Sequence, residues 1–153
     1  MDIFTKKVLM PVLDNIQTRP DNNAFCIADN YYSYREFGCA ISRIVANLEN
    51  IQINNHCIGL VANDDLETYA SIFALWLKGM AYVPLHPNQP LARCNEIRNQ
   101  VGMDLILDSS QESRYDGKVV MTSLLPESEI ILKVQESYSE DDLAYILFTS
   151  GST

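Results

Sequence analysis

The chain has 153 residues, of which 47% are apolar and 20% charged, a composition typical of one globular domain with a single core. Its net charge of −9 argues against the basic surfaces that bind nucleic acids and anionic membranes, so neither is expected as a partner. No apolar run reaches the roughly 18 residues of a membrane span, and the N-terminus lacks the order of a signal peptide. We therefore expect a cytoplasmic protein.

The N-terminal segment predicts a helix followed by a hairpin. Apolar residues recur at helical spacing over 3–17, and Pro11 predicts either a kink or the start of the main helix there. Residues 24–34 contain two short runs of β-forming residues about Asp29 and Asn30, which predicts a β-hairpin.

The next helix has a clear start signal. Ser33 is followed three residues later by Glu36, the spacing of a capping box. The residues behind it repeat at helical spacing and predict one buried face, made of Phe37, Ala40, Ile41, Ile44, Val45 and Leu48.

From residue 57 onward, short apolar runs alternate with helical patterns. Helices are predicted over 65–78, which is apolar almost all round, and from Pro90 to Gly102. Strands are predicted over 57–62, 81–85, 104–108, 118–122, 143–148 and, more weakly, 129–134. This alternation predicts an α/β fold with a mostly parallel sheet and helices on both faces. In such sheets, ligands bind beyond the carboxyl ends of the strands.

No residue pattern predicts a metal site or a catalytic side chain. The four cysteines lie far apart without a Cys-x-x-Cys pair, and His86 stands alone between Leu85 and Pro87. The acidic residues near the C-terminus are typical of a solvated surface.

The last seven residues, "LFTSGST", predict a loop after a strand at such a carboxyl end. Gly151 lets the backbone approach a ligand closely, and successive amides with hydroxyl side chains can surround a phosphate. Loops of this composition also form plain turns, and spacing alone does not choose between the two. The glycine patterns of P-loop NTPases and of dinucleotide-binding Rossmann domains are absent.

Two longer stretches resemble one enzyme superfamily. "DLAYILFTSGST" closely resembles the phosphate-loop signature of adenylate-forming enzymes, and "LWLKGMAYVPLHPNQPLAR" resembles a motif of amino-acid adenylation domains at the expected distance upstream. "TRPDNNAFC" and "YSYREF" are weaker matches to the same superfamily. The chain departs from the pattern at His86, where the family has Asp, at Lys78, which Gly79 follows without an intervening Ala, and at Phe148, where Tyr is common.

The resemblance implies an ATP- and Mg²⁺-dependent ligase. Such enzymes join a carboxylate to AMP and pass the acyl group to coenzyme A or to the phosphopantetheine thiol of a carrier protein. The residues that would hold the β- and γ-phosphates of ATP are Thr149, Ser150, Gly151, Ser152 and Thr153.

The resemblance also sets the expected domain organisation. Residues 1–153 would form a single unit, the N-terminal part of an AMP-binding domain that ends at its phosphate loop, without adenylation activity of its own. The motif around Lys78 favours amino-acid activation, as in peptide synthetases or D-alanine–carrier-protein ligases. An acyl-CoA ligase and a non-catalytic interaction module remain the alternatives. Surfaces left uncovered in such a piece predict dimerisation.

Overall fold

The computed structural model describes residues 1–134 and 138–149. Its helical elements are a π-helical turn (Thr5–Leu9), α1 (Met10–Thr18), α2 (Tyr34–Glu49), α3 (Leu66–Leu77), α4 (Leu91–Val101) and a 3-10 turn (Thr122–Leu124). Its strands are β1 (Asn23–Ile27), β2 (Asn30–Ser33), β3 (Cys57–Val61), β4 (Ala81–Leu85), β5 (Leu105–Asp108) and β6 (Lys118–Met121). Within this part of the chain, no helix is both long enough and apolar enough to cross a membrane.

The main N-terminal helix starts next to Pro11, as predicted. A π-helical turn runs without a break into α1, and Pro11, which has no N–H to donate to the preceding turn, lies in the first turn of α1. The Asp2 carboxylate accepts hydrogen bonds from the Thr5 amide and hydroxyl, both at 2.7 Å. The bond from the Thr5 amide is the main reason that the pKa of Asp2 is lowered.

The hairpin forms as predicted, with its turn one residue earlier. β1 and β2 pair antiparallel through the turn residues Ala28 and Asp29, whose φ angles are 49° and 63°. Positive φ at both central residues is the geometry of the two-residue turn that matches strand twist.

The capping box of α2 is confirmed. The Glu36 amide donates to Ser33 Oγ at 3.2 Å, and the Ser33 amide donates to Glu36 Oε2 at 2.7 Å. The predicted face of α2 is buried along its length, from Phe37 to Leu48.

In the described residues, the main sheet is parallel and has the strand order β4-β3-β5-β6. One face packs against α2, α3 and the N-terminal helix, through residues such as Ile58 and Leu105. The other face packs against α4, through residues such as Val83, Ile97 and Ile106. The predicted α/β fold with helices on both faces is therefore confirmed.

The ends of α3 and α4 follow from local chemistry. Asp65 caps α3 by accepting from the Thr68 amide at 2.8 Å. Gly79 and Gly102 follow the two helices with φ of 68° and 74°, a region that glycine enters without cost. Pro90 lies at the N-cap of α4, one position before the first helical turn that the sequence predicts.

Two strand predictions are wrong. Residues 129–134 form no strand, because this stretch lies across α2: the Ile131 amide donates to Ser42 Oγ at 3.2 Å, and Leu132 and Val134 pack on the core. Residues 143–148 form no regular strand either, and make one parallel bridge to β4 between Tyr145 and Tyr82.

Proline removes one hydrogen bond from that pairing. Along β4, alternate residues direct their backbone groups to opposite sides, and Tyr82 faces residues 143–148. The next β4 residue on that side is Pro84, which has no N–H to continue the ladder.

Candidate functional site

The candidate site lies where residues 143–149, here called the edge segment, run beside β4. The Tyr82 amide donates to the Ala144 carbonyl at 3.3 Å, and the Ile146 amide donates to the Tyr82 carbonyl at 3.0 Å. Because the pairing is parallel, the C-terminal end of the edge segment points to the carboxyl edge of the sheet. Thr149 therefore lies at the edge where β3, β4 and β5 also end.

A turn and an aromatic side chain hold the start of the edge segment. The Asp142 carboxylate accepts from the Ser139 amide at 2.7 Å, and the Asp142 amide donates back to the Ser139 carbonyl at 3.1 Å. Trp76, in the last turn of α3, donates its indole N–H to the Ala144 carbonyl at 3.0 Å.

The two faces of the edge segment differ. Ile146 and Phe148 pack against the core on the α4 side of the sheet. The other face is open, with Leu143 58%, Tyr145 50% and Leu147 61% exposed. An alternating pattern with apolar residues on both faces is typical of a strand covered on both sides.

The predicted phosphate loop is described only at its first residue. Thr149 is exposed at the carboxyl edge, as the sequence predicts for the loop's position. Ser150, Gly151, Ser152 and Thr153 lie outside the described residues. The grip on phosphate stays a prediction for all five residues.

A polar cluster at the same edge was missed by sequence reasoning. The side-chain NH2 of Asn63 donates to Asp108 Oδ1 at 3.3 Å, to Ser109 Oγ at 2.9 Å and to Ser110 Oγ at 3.2 Å. Asp108 is only 2% exposed and also accepts from the Ser110 amide at 2.9 Å. The Ser109 hydroxyl donates to Asp65 Oδ2 at 2.7 Å.

This cluster joins the loops that follow β3 and β5. Asn63 and Asp108 are 45 positions apart in the chain, so no local sequence pattern could predict their contact. The only available hint was that each member follows a buried parallel strand. The hydrogen bonds are internal, and their effect is to fix the loop geometry at the carboxyl edge.

His86, which replaces the family's Asp, closes its own turn after β4. Its Nδ1 accepts from the Asn88 amide at 3.1 Å, and its carbonyl accepts from the Arg114 guanidinium at 3.2 Å. Arg114 also donates to the Tyr115 hydroxyl at 3.4 Å. Burial, followed by a hydrogen bond with Cys94, raises the pKa of Tyr115 to about 12, against an opposing effect of Arg114. These contacts give His86 a structural role in the turn.

A cavity of about 520 Å³ lies at the opposite, amino end of the edge segment. Phe4, Trp76, Tyr138 and Leu143 line it, so its wall is mainly apolar. Burial raises the pKa of Tyr138, whose hydroxyl donates to the Trp76 carbonyl. Asp2, Glu140 and Asp142 also line it, beside Lys7, and a lining with three acidic side chains and one lysine does not suit a triphosphate.

Residues 1–134 and 138–149 contain no group of three or more His, Cys, Asp or Glu side chains arranged to hold a metal ion.

Comparison with known proteins identifies the family. The model of the AMP-binding enzyme family matches residues 12–153, which is nearly the whole chain. The chain belongs to the AMP-binding enzyme family. This membership confirms the resemblance to adenylate-forming enzymes.

Curated relatives of this AMP-binding chain include peptide synthetases. The nonribosomal peptide synthetase nlsA of Emericella nidulans is 30% identical over 154 residues, which cover 93% of this chain and 2% of the synthetase. The chain spans about 2% of the length of the curated relatives it matches first.

Solved structures agree on the fold. The N-terminal subdomain of Klebsiella oxytoca NpsA, solved with 3-hydroxyanthranilyl-AMSN, has a TM-score of 0.74 at 23% identity, covering 95% of this chain and 37% of that one. The four-domain nonribosomal peptide synthetase AB3403, bound to AMP and glycine, has a TM-score of 0.68 at 25% identity, covering 80% of this chain and 9% of that one.

Proposed function

We propose that this chain is the N-terminal part of an enzyme that activates an amino acid as its adenylate and transfers it to a carrier protein. A carboxylate oxygen attacks the α-phosphorus of ATP, giving the acyl-adenylate and pyrophosphate. The phosphopantetheine thiol then attacks the acyl carbonyl, loses its proton to solvent, and releases AMP. The observation that carries this proposal is the parallel docking of the edge segment, which brings Thr149 to the carboxyl edge.

The loop's role follows from charge. An anionic carboxylate and the triphosphate repel each other, so donors at the β- and γ-phosphates lower the barrier by neutralising and positioning charge. The hydroxyls and amides of residues 149–153 would provide these donors. Mg²⁺, when bound, would offset further phosphate charge.

The choice of an amino acid as substrate rests on the motif and on the relatives. The sequence "LKGMAYVPLHP" resembles amino-acid-activating members, curated relatives include peptide synthetases, and one structurally similar peptide synthetase is solved with AMP and glycine. The test is exchange of labelled pyrophosphate into ATP by the intact protein, with panels of amino acids and fatty acids. We expect exchange with an amino acid and transfer to a carrier protein. Turnover only of aliphatic acids with free coenzyme A would instead support an acyl-CoA ligase, and turnover of no acid a non-catalytic module.

Residues 1–153 alone should be inactive. They cover 37% of the NpsA subdomain and lack most of the family's sequence motifs. Amino-acid-dependent pyrophosphate exchange by the purified 153-residue chain would contradict this expectation.

The isolated chain should also self-associate through the edge segment. In the described residues, no strand pairs with its outer side, and three exposed apolar residues, Leu143, Tyr145 and Leu147, lie on one face. Such an edge favours pairing with a second copy. Light scattering should show a dimer that Leu147→Lys weakens, whereas a monomer at high concentration would rule the dimer out.

A further inference from the structure

The edge segment pairs with β4 through hydrogen bonds at Tyr82. Pro84, the next β4 residue on that side, has no N–H to donate to it. The Ala144 carbonyl is the point where a further contact is made. It accepts from both the Tyr82 amide, at 3.3 Å, and the Trp76 indole, at 3.0 Å.

The Trp76 ring is itself held firmly. Its centroid lies 5.3 Å from that of Phe4 at 88°, 5.9 Å from Phe73 at 60° and 6.1 Å from Tyr82 at 54°. The Trp76 carbonyl also accepts from the Tyr138 hydroxyl. Trp76 therefore makes hydrogen bonds to Tyr138, which precedes the edge segment, and to Ala144, which lies within it. A ring packed on several sides presents its N–H in one direction.

The direction of the indole N–H favours one register of the edge segment along β4. If the edge segment slipped by one residue along β4, its two faces would exchange, and Ile146 and Phe148 would leave the core. The same slip would move Thr149 by about 3.3 Å, the rise of one residue in a strand. A shift of this size displaces phosphate donors from hydrogen-bonding range.

We propose that Trp76 is a positioning residue for the phosphate loop, fixing the register of the edge segment through its indole N–H bond to the Ala144 carbonyl. The consequence for ATP rests on the proposed function, whereas the register itself does not. Trp76 lies on α3, apart from the loop, and acts through Ala144.

The first test measures register on the 153-residue chain. Trp76→Phe keeps an aromatic ring and removes the N–H donor, and Phe73→Leu is the matched control in the same aromatic cluster without a bond to the edge segment. Hydrogen exchange at the Ile146 amide should be about fivefold faster in Trp76→Phe, as expected for loss of one ordinary hydrogen bond. Exchange at the amides of β3 and β5 should change little.

Two results would overturn the proposal. One is Ile146 exchange in Trp76→Phe that rises no more than exchange at β3 and β5. The other is an equal rise in Phe73→Leu, which would make packing, not the indole N–H, the cause.

The second test uses the intact protein. In pyrophosphate exchange, Trp76→Phe should raise KM for ATP severalfold and leave KM for the amino acid unchanged, a split that general destabilisation would not produce. Equal rises in both KM values would contradict the positioning role. If neither wild type nor variant shows exchange with any acid, the proposed function fails, and the hydrogen-exchange result still decides the register.

Discussion

β4 has two neighbours that are attached to it in different ways. β3 pairs with it over five consecutive residues, from Cys57–Ala81 to Val61–Leu85, and four of the five β3 residues are buried. The edge segment pairs with it at Tyr82 and leaves Leu143, Tyr145 and Leu147 at least half exposed. The sheet core is therefore held by a ladder and by burial, whereas the edge segment, which leads to the predicted phosphate loop, depends on a few directional contacts.

This difference between β3 and the edge segment indicates where a substitution can change local structure without unfolding the protein. Local opening costs least where buried apolar contacts and backbone bonds are few. Substitutions in β3 should change global stability, and substitutions in the edge segment should change local structure or ATP binding.

The largest expected effect is in the central strand. Ile58, fully buried in β3, contacts the core shared with α2 and α3. Ile58→Ala removes buried methyl and methylene groups and leaves a cavity, so it should lower the free energy of unfolding by about 2–5 kcal/mol. Urea denaturation measures this loss. A change below about 0.5 kcal/mol, the range of ordinary surface substitutions, would contradict the assignment of β3 to the core.

Overpacking at β3 should cost somewhat less. A Cβ at Gly59 would lie 2.6 Å from Met103 Sδ and 3.0 Å from Ile106 Cγ1, so Gly59→Ala forces these side chains apart. We expect a loss of about 1–3 kcal/mol. A double-mutant cycle with Met103→Ala should show favourable coupling, because the second change removes the contact. Strict additivity would mean that Met103 is not the obstacle.

The free energy of unfolding should fall at high pH because of Tyr115, which lies in the core on the α4 side of the sheet. The pKa of Tyr115 is raised to about 12, first by burial, and the unfolded phenol ionises near its usual pKa of about 10. Stability from the neutral phenol is therefore complete below pH 10 and declines as pH rises towards about 12. Unfolding midpoints measured across this range should fall, and the fall should be smaller in Tyr115→Phe. Parallel pH profiles for the two proteins would assign the loss to other groups.

The smallest effect should come from the exposed face of the edge segment. Leu147 is 61% exposed, so Leu147→Ala should change the free energy of unfolding of the monomer by no more than about 0.5 kcal/mol. Leu147→Ala is the exposed counterpart of Ile58→Ala, because each replaces an aliphatic side chain with alanine and only Ile58 is buried. A loss comparable to that of Ile58→Ala would erase the distinction between the two neighbours of β4.

The sequence predicted the elements whose causes are local. The capping box at Ser33, the hairpin, the start of the main helix next to Pro11 and the α/β alternation all rest on short patterns, and the structure confirms them. The position of Thr149 at the carboxyl edge followed from the order of strands.

What the sequence missed depends on contacts between distant residues. Residues 129–134 have strand-forming composition, but their apolar side chains and the Ile131 amide are satisfied by α2, so no ladder forms. The edge segment lacks one ladder bond because Pro84, on another strand, has no N–H. The bonds from Asn63 to Asp108 and from Trp76 to Ala144 likewise join segments whose proximity appears only in the folded chain.

The most direct test of the central claim is the kinetics of Thr149→Val in the intact protein. The central claim is that Thr149, at the carboxyl edge, begins a loop that grips the phosphates of ATP. Thr18→Val, an exposed hydroxyl at the end of α1, is the matched control. In amino-acid-dependent pyrophosphate exchange, Thr149→Val should lower kcat/KM for ATP by roughly tenfold or more, as for loss of a donor to developing charge, and Thr18→Val should leave it unchanged. An unaltered kcat/KM for ATP in Thr149→Val would contradict the claim.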